Sequence, residues 1–133
     1  MKLTTKSEYS LLALIFMARN QEKGWVKIRD ICGHYAMPKK YLEQLLIILK
    51  RNRYIRAKRG AGGGYMLALK PEEISFAQIV RLMDGPLAPT DSASKYFYSR
   101  TPIEKERKVL DVFKGIRDYI AAKMENTFLS DFL

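Results

Sequence analysis

The strongest constraint on how this chain can fold is the order of three local signals between Ile28 and Leu69. A short helical pattern runs from about Ile28 to Tyr35 and is followed at once by Ala36-Met37-Pro38. Proline is poorly tolerated inside a helix but fits the first turn of a new one. Pro38 therefore predicts a second helix from there to about Asn52, with Tyr41, Leu42, Leu45, Leu46, Ile48 and Leu49 spaced for burial. Tyr54 to Arg59 and Gly64 to Leu69 then alternate on either side of Gly60-Ala61-Gly62-Gly63, which is a hairpin signal. Two helices joined by so short a turn suggest a helix-turn-helix, and a basic hairpin directly behind it reads as a wing.

The remaining segments fit around this unit. Thr5-Lys6-Ser7-Glu8 has the form of a capping box opening a first helix, whose apolar stripe includes Tyr9, Leu12 and Ile15. Trp25-Val26-Lys27 reads as a short extended entry. Ser75-Phe76-Ala77-Gln78 starts a further capped helix ending near Asp84, and Pro86 to Arg100 reads as a loop. Thr101-Pro102-Ile103-Glu104 then signals a last helix reaching about Asn126. The expected fold is mainly α with a small β-hairpin: a winged helix-turn-helix over 1–84, a loop over 85–101, and a helix with a C-terminal segment over 102–133.

Charge is distributed unevenly along the 133 residues. The net charge is +10, yet residues 1–70 hold 15 Lys/Arg against 4 Asp/Glu, whereas residues 71–133 hold 9 against 10. A polyanion is the natural partner of the first half, because clustered cations release counterions from phosphates. No apolar run approaches the roughly 20 residues that span a bilayer, so no membrane partner is expected. The single cysteine rules out an intrachain disulfide framework and fits a reducing cytoplasm, the expected location. One His, one Cys and no paired carboxylates at useful spacing leave no catalytic constellation, so the chain is not expected to be an enzyme. The glycine run lacks the Lys-Ser/Thr of a phosphate loop and is better explained as a turn.

Recognition residues are expected at the start of the third helix and along the wing. Gln44 has the groups to bond adenine, Lys40 to bond guanine, and Glu43 to accept from cytosine; a surface ion pair is the competing reading of Glu43. Tyr41 belongs to the same surface. Arg59, at the glycine turn, suits a narrow A·T-rich minor groove. Lys2, Lys6, Lys39, Arg56 and Lys58 are expected to hold phosphates, fixing register without reading sequence.

The blocks Tyr41-Leu42-Glu43-Gln44-Leu45-Leu46 and Arg59-Gly60-Ala61-Gly62-Gly63-Gly64-Tyr65, together with the N-terminal Met1-Lys2-Leu3-Thr4-Thr5-Lys6, carry a wider resemblance. Ile74 to Val80 and Gly85-Pro86-Leu87-Ala88-Pro89 continue it in order. The sequence resembles the Rrf-type family of bacterial winged helix-turn-helix transcription regulators. That resemblance implies DNA contacts at Tyr41, Glu43, Gln44 and Arg59, and a dimer formed by the C-terminal helix. Cluster-binding members carry three cysteines in the loop after the Gly-Pro-Leu stretch; here Thr90 to Arg100 has none. Iron–sulfur clusters need thiolate ligands, so no cluster and no other cofactor or metal is expected. Glu8 matches a carboxylate that binds a cluster in one branch of the family, but its capping role is sufficient explanation here.

The function these readings support is sequence-specific DNA binding by a homodimer on a pseudo-palindromic operator, acting as a repressor. The expected dimer face is Ile103, Leu110, Phe113, Ile116, Ile120 and Met124, although packing on the chain's own domain would cover the same stripe. A small-molecule or protein effector is a further expected partner, with Tyr96, Phe97 and Tyr98 either lining a pocket or packing beneath the loop. The alternative function is a protein-interaction adaptor that keeps the fold.

Overall fold

The computed structural model describes residues 1–133. Its elements are α1 (Thr5–Arg19), α2 (Ile28–Tyr35), α3 (Lys39–Arg51), β1 (Ile55–Lys58), β2 (Gly64–Leu67), α4 (Phe76–Asp84) and α5 (Arg107–Glu125). Short 3₁₀ turns lie between them, and another, Leu129–Phe132, closes the chain.

The main core forms where α1, α2 and α3 bring their apolar stripes together under the hairpin. Leu14, Ile31, Leu42, Leu45, Leu46, Leu49 and Ile55 are all but inaccessible there. Leu129 joins the same core from the far end of the chain. The last turn is held by backbone bonds from Phe76 N–H to Thr127 and from Leu129 N–H to Ile74, and by stacking of Phe76 on Phe132. The C-terminal segment is thereby part of the head's core, which the sequence pattern did not indicate.

α1 is capped by Thr4, whose hydroxyl accepts from Lys6 N–H, and not by the expected Thr5–Glu8 box. Thr4 is fixed by Asp84, the last residue of α4, whose carboxylate accepts from Thr4 N–H at 2.9 Å, Thr4 Oγ1 at 2.5 Å and Ser7 Oγ at 2.6 Å. Thr5 is left free to bond Tyr41 instead. Ser75 and Gln78 do form the expected box at the start of α4.

The last helix begins five residues later than expected. Pro102–Lys105 is a 3₁₀ turn, and Glu106 leaves helical geometry before α5 starts. Thr101, read as the cap, has its hydroxyl engaged by Ser92 at 2.5 Å. Ile103 is therefore not on α5.

The division of α5 into faces also differs from the expectation. Leu110, only 8% exposed, packs with Ala88 and Ala93, joined by Ile103 and Phe113. Ile120 and Met124 pack against Ala77, Val80 and Leu87. Of the six expected dimer residues, these five lie toward the chain's own domain, because α4 and the 87–93 segment supply an apolar surface for them. Ile116 faces outward with Val109, Val112 and Tyr119, and these four are 42 to 76% exposed. The loop aromatics Tyr96, Phe97 and Tyr98 are exposed and do not pack beneath the loop; Leu87, Ala88 and Ala93 fill that role.

Candidate nucleic-acid interface

α2 ends at Ala36, which adopts a left-handed conformation (φ 56°), and Pro38 caps α3 in extended geometry. This abrupt change of direction sets α3 across α2 with its apolar residues inward. On the other face, Lys40, Gln44, Ile47 and Arg51 are exposed and Glu43 is half-exposed, as spacing of three and four residues requires. Glu43 lies 4.0 Å from Lys39, with both side chains well solvated. Such a pair contributes little and leaves the carboxylate free to turn toward a partner.

Tyr41 is placed differently from its expected neighbours. Its ring is half-buried edge-to-face on Tyr9, and its hydroxyl lies 3.0 Å from Thr5 Oγ1. Its visible work is to tie α3 to α1.

The wing is a two-stranded antiparallel hairpin in which Ile55 faces Leu67 and Lys58 faces Gly64. Its turn requires glycine twice. A Cβ on Gly63 would lie 2.0 Å from the Lys58 carbonyl oxygen, and one on Gly64 would lie 2.4 Å from that of Val26. That second closeness arises because Val26 and Tyr65 exchange backbone hydrogen bonds, each 2.8 Å, adding the 25–27 segment to the sheet. Lys27 then donates to the Ala61 carbonyl at 2.6 Å, bracing the turn from the side. The cations of Arg56 and Lys58 both approach the face of Trp25, each 6.0 Å from its ring centroid.

Arg56, Lys58 and Arg59 are exposed along this hairpin, and Lys2 and Lys6 are exposed at the start of α1. A groove of about 340 Å³ separates α3 from the wing, with Leu46, Ile47 and Lys50 on one wall and Lys58 and Arg59 on the other. A second cleft gathers Lys27, Arg29, Lys39 and Lys58 and contains no acid. Lys27 and Arg29 were not picked out by sequence reasoning. The only available signal was their membership of the basic half, since contact with the wing turn comes from residues 33 and 34 positions further on.

Head, hairpin and basic clefts together define a winged helix-turn-helix protein. The family follows from comparison: residues 3–133 match the Rrf2 family, described as iron-dependent transcriptional regulators, and the chain belongs to it. It is a transcription regulator and not an enzyme. A putative HTH-type transcriptional regulator of Synechocystis, slr0846, is 43% identical over 67% of this chain, a match spanning only 60% of that relative's length. The HTH-type transcriptional regulator CymR of Bacillus subtilis is 28% identical over 98% of this chain and 88% of its own. The solved structure of CymR, titled the global cysteine regulator of that organism, superposes with a TM-score of 0.78 at 28% identity, covering 98% of this chain and 95% of that one. IscR of T. potens superposes at 0.70 with 27% identity, covering 98% and 85%.

The family description invokes iron, and the donor set here does not fit an iron–sulfur cluster. Cys32 lies on α2 packed against the main core. Burial pushes its thiol up, Lys39 pulls it down less, and Glu43 adds to the rise; as the one cysteine of the chain it falls short of the several thiolates that hold such a cluster. In the 85–101 loop two serine hydroxyls are already engaged, that of Ser92 with Thr101 and the Ser99 carbonyl, and that of Ser94 with Phe97 N–H. No three His, Cys, Asp or Glu side chains are grouped to hold a metal ion. His34 is exposed and its ring packs on Tyr35 and Phe16.

Proposed function

We propose that this protein is a cytoplasmic, sequence-specific DNA-binding repressor that works as a homodimer on a pseudo-palindromic operator without an iron–sulfur cluster. The observation that carries the reading is the juxtaposition of an outward α3 face, bearing Lys40, Glu43 and Gln44, with a braced wing bearing Arg59. Lys40, Glu43 and Gln44 read base edges in the major groove, and Arg59 enters the adjoining minor groove. Lys2, Lys6, Lys39, Arg56 and Lys58 hold phosphates. Tyr41 contributes by fixing the angle of α3. α5 joins two copies through Val109, Val112, Ile116 and Tyr119, a seam spaced three, four and three residues apart. The twofold presents two heads to half-sites one helical turn apart. A small molecule or protein acting at the 85–101 loop, which touches both α4 and α5, would couple a signal to that geometry.

Binding to the upstream region of the protein's own gene, measured across a salt series, tests this. A specific complex is expected whose affinity falls steeply with salt, and Lys58→Ala should make that slope shallower by about 0.9, the share of one neutralised phosphate. Gln44→Ala should cost about 1–3 kcal/mol on the selected site and little on unrelated DNA. Equal weakening on all sequences would assign Gln44 to the phosphates, and salt-independent binding would contradict the reading.

A further inference from the structure

Ile47 has no polar group to offer a nucleic acid, although it stands near the middle of the basic surface. On α3 it follows Lys40 by seven residues, Glu43 by four and Gln44 by three, so it shares their outward face. It is 54% exposed, while Leu42, Leu45, Leu46 and Leu49 of the same helix are buried. A lone exposed apolar side chain is ordinary on a protein surface; its surroundings here are not. The groove that Ile47 lines is rimmed by Lys50, Lys58 and Arg59. That charge opposes an apolar protein partner, whose interface core is depleted of charge, and suits a polyanion.

A duplex offers one apolar group on its major-groove edges, the C5-methyl of thymine. We propose that Ile47 is a specificity-determining residue that packs on a thymine methyl in each half-site. The inference rests on the DNA-binding reading above and adds a base to the operator. Three helical residues advance about 4.5 Å along the axis, against about 3.4 Å per base along a strand. The thymine therefore lies within one or two base pairs of the base read by Gln44. The branched side chain is stiff about χ1, so it is held ready against the methyl with little freedom to lose.

The test uses the full-length chain and a duplex it selects from a randomised pool. Each thymine of one half-site is replaced in turn by deoxyuridine, which removes the methyl alone, and Kd is measured for the native protein, Ile47→Val and Ile47→Ser. One position is expected where deoxyuridine weakens the native protein about fourfold, the factor for exposing one buried methyl. Ile47→Ser should show no penalty there and Ile47→Val an intermediate one, while penalties at other thymines stay the same in all three. Circular dichroism checks that Ile47→Ser keeps its fold, and Ile47→Val serves as the conservative control. A flat scan in the native protein, or a penalty unchanged by Ile47→Ser, overturns the proposal while leaving DNA binding intact. Failure to select any duplex overturns both.

Discussion

α3 and α5 are both amphipathic helices with one apolar face sunk into the same domain, and they differ in what they turn outward. α3 shows solvent Lys40, Gln44, Lys50 and Arg51 around a single Ile47. α5 shows Val109, Val112, Ile116 and Tyr119 in one continuous seam. Charges at helical spacing can remain in water until a polyanion displaces their counterions. An apolar seam gains by removal from water and so calls for a protein surface, which a second copy supplies by symmetry. On the proposed reading, one helix meets DNA and the other meets a second copy.

The sharpest way to break this division is to charge the seam. Val112→Glu combined with Ile116→Glu should leave the chain folded but monomeric, and operator affinity should fall by on the order of a hundredfold or more as bivalent binding disappears. Gel filtration and a gel shift check both halves, and an undiminished dimer would move the interface elsewhere. Leu110→Ala, on the opposite face of the same helix, should behave differently. It opens a cavity beside Ala88 and Ala93 and should cost about 2–4 kcal/mol in urea unfolding, while the oligomeric state of the folded fraction is unchanged.

A smaller effect concerns the joint between α4 and α1. Burial raises the Asp84 carboxyl, but the hydrogen bonds from Ser7 and Thr4, with Lys6 nearby, outweigh it and hold the group below its ordinary 3.8. Its folded value is the lower one, so the ionised form favours the fold. That contribution is complete above 3.8 and is lost as pH falls through the lower folded value. Asp84→Asn should destabilise the protein at pH 7 by about 1 kcal/mol, and the gap to the native protein should close in acid. A gap independent of pH would mean that the hydrogen bonds act without the charge.

The head was legible in the sequence because its signals are local and ordered: Pro38 after a short helix, and alternation across a glycine run. The bounds of α2 and the capping box at Ser75 follow from the same kind of evidence. The stripe from Leu110 to Met124 was legible as an apolar face, but not what covers it: only tertiary packing shows that α4 and the 87–93 segment do, leaving Val109, Val112, Ile116 and Tyr119 outside. Thr4 and Thr5 are chemically alike, so the choice of cap depended on Asp84, 80 residues away. The bond between Tyr41 and Thr5 and the brace from Lys27 to the wing turn likewise join distant segments. Residue type announced a basic surface; it did not say which cations meet phosphate and which hold the scaffold.

Sedimentation equilibrium of the protein mixed with a single operator duplex bears most directly on the pairing of two reading heads. Two 15.4 kDa chains per duplex, with a dimer of the same mass persisting when DNA is absent, is the result this structure predicts. One chain per duplex, with the free protein monomeric at the same concentration, would contradict it.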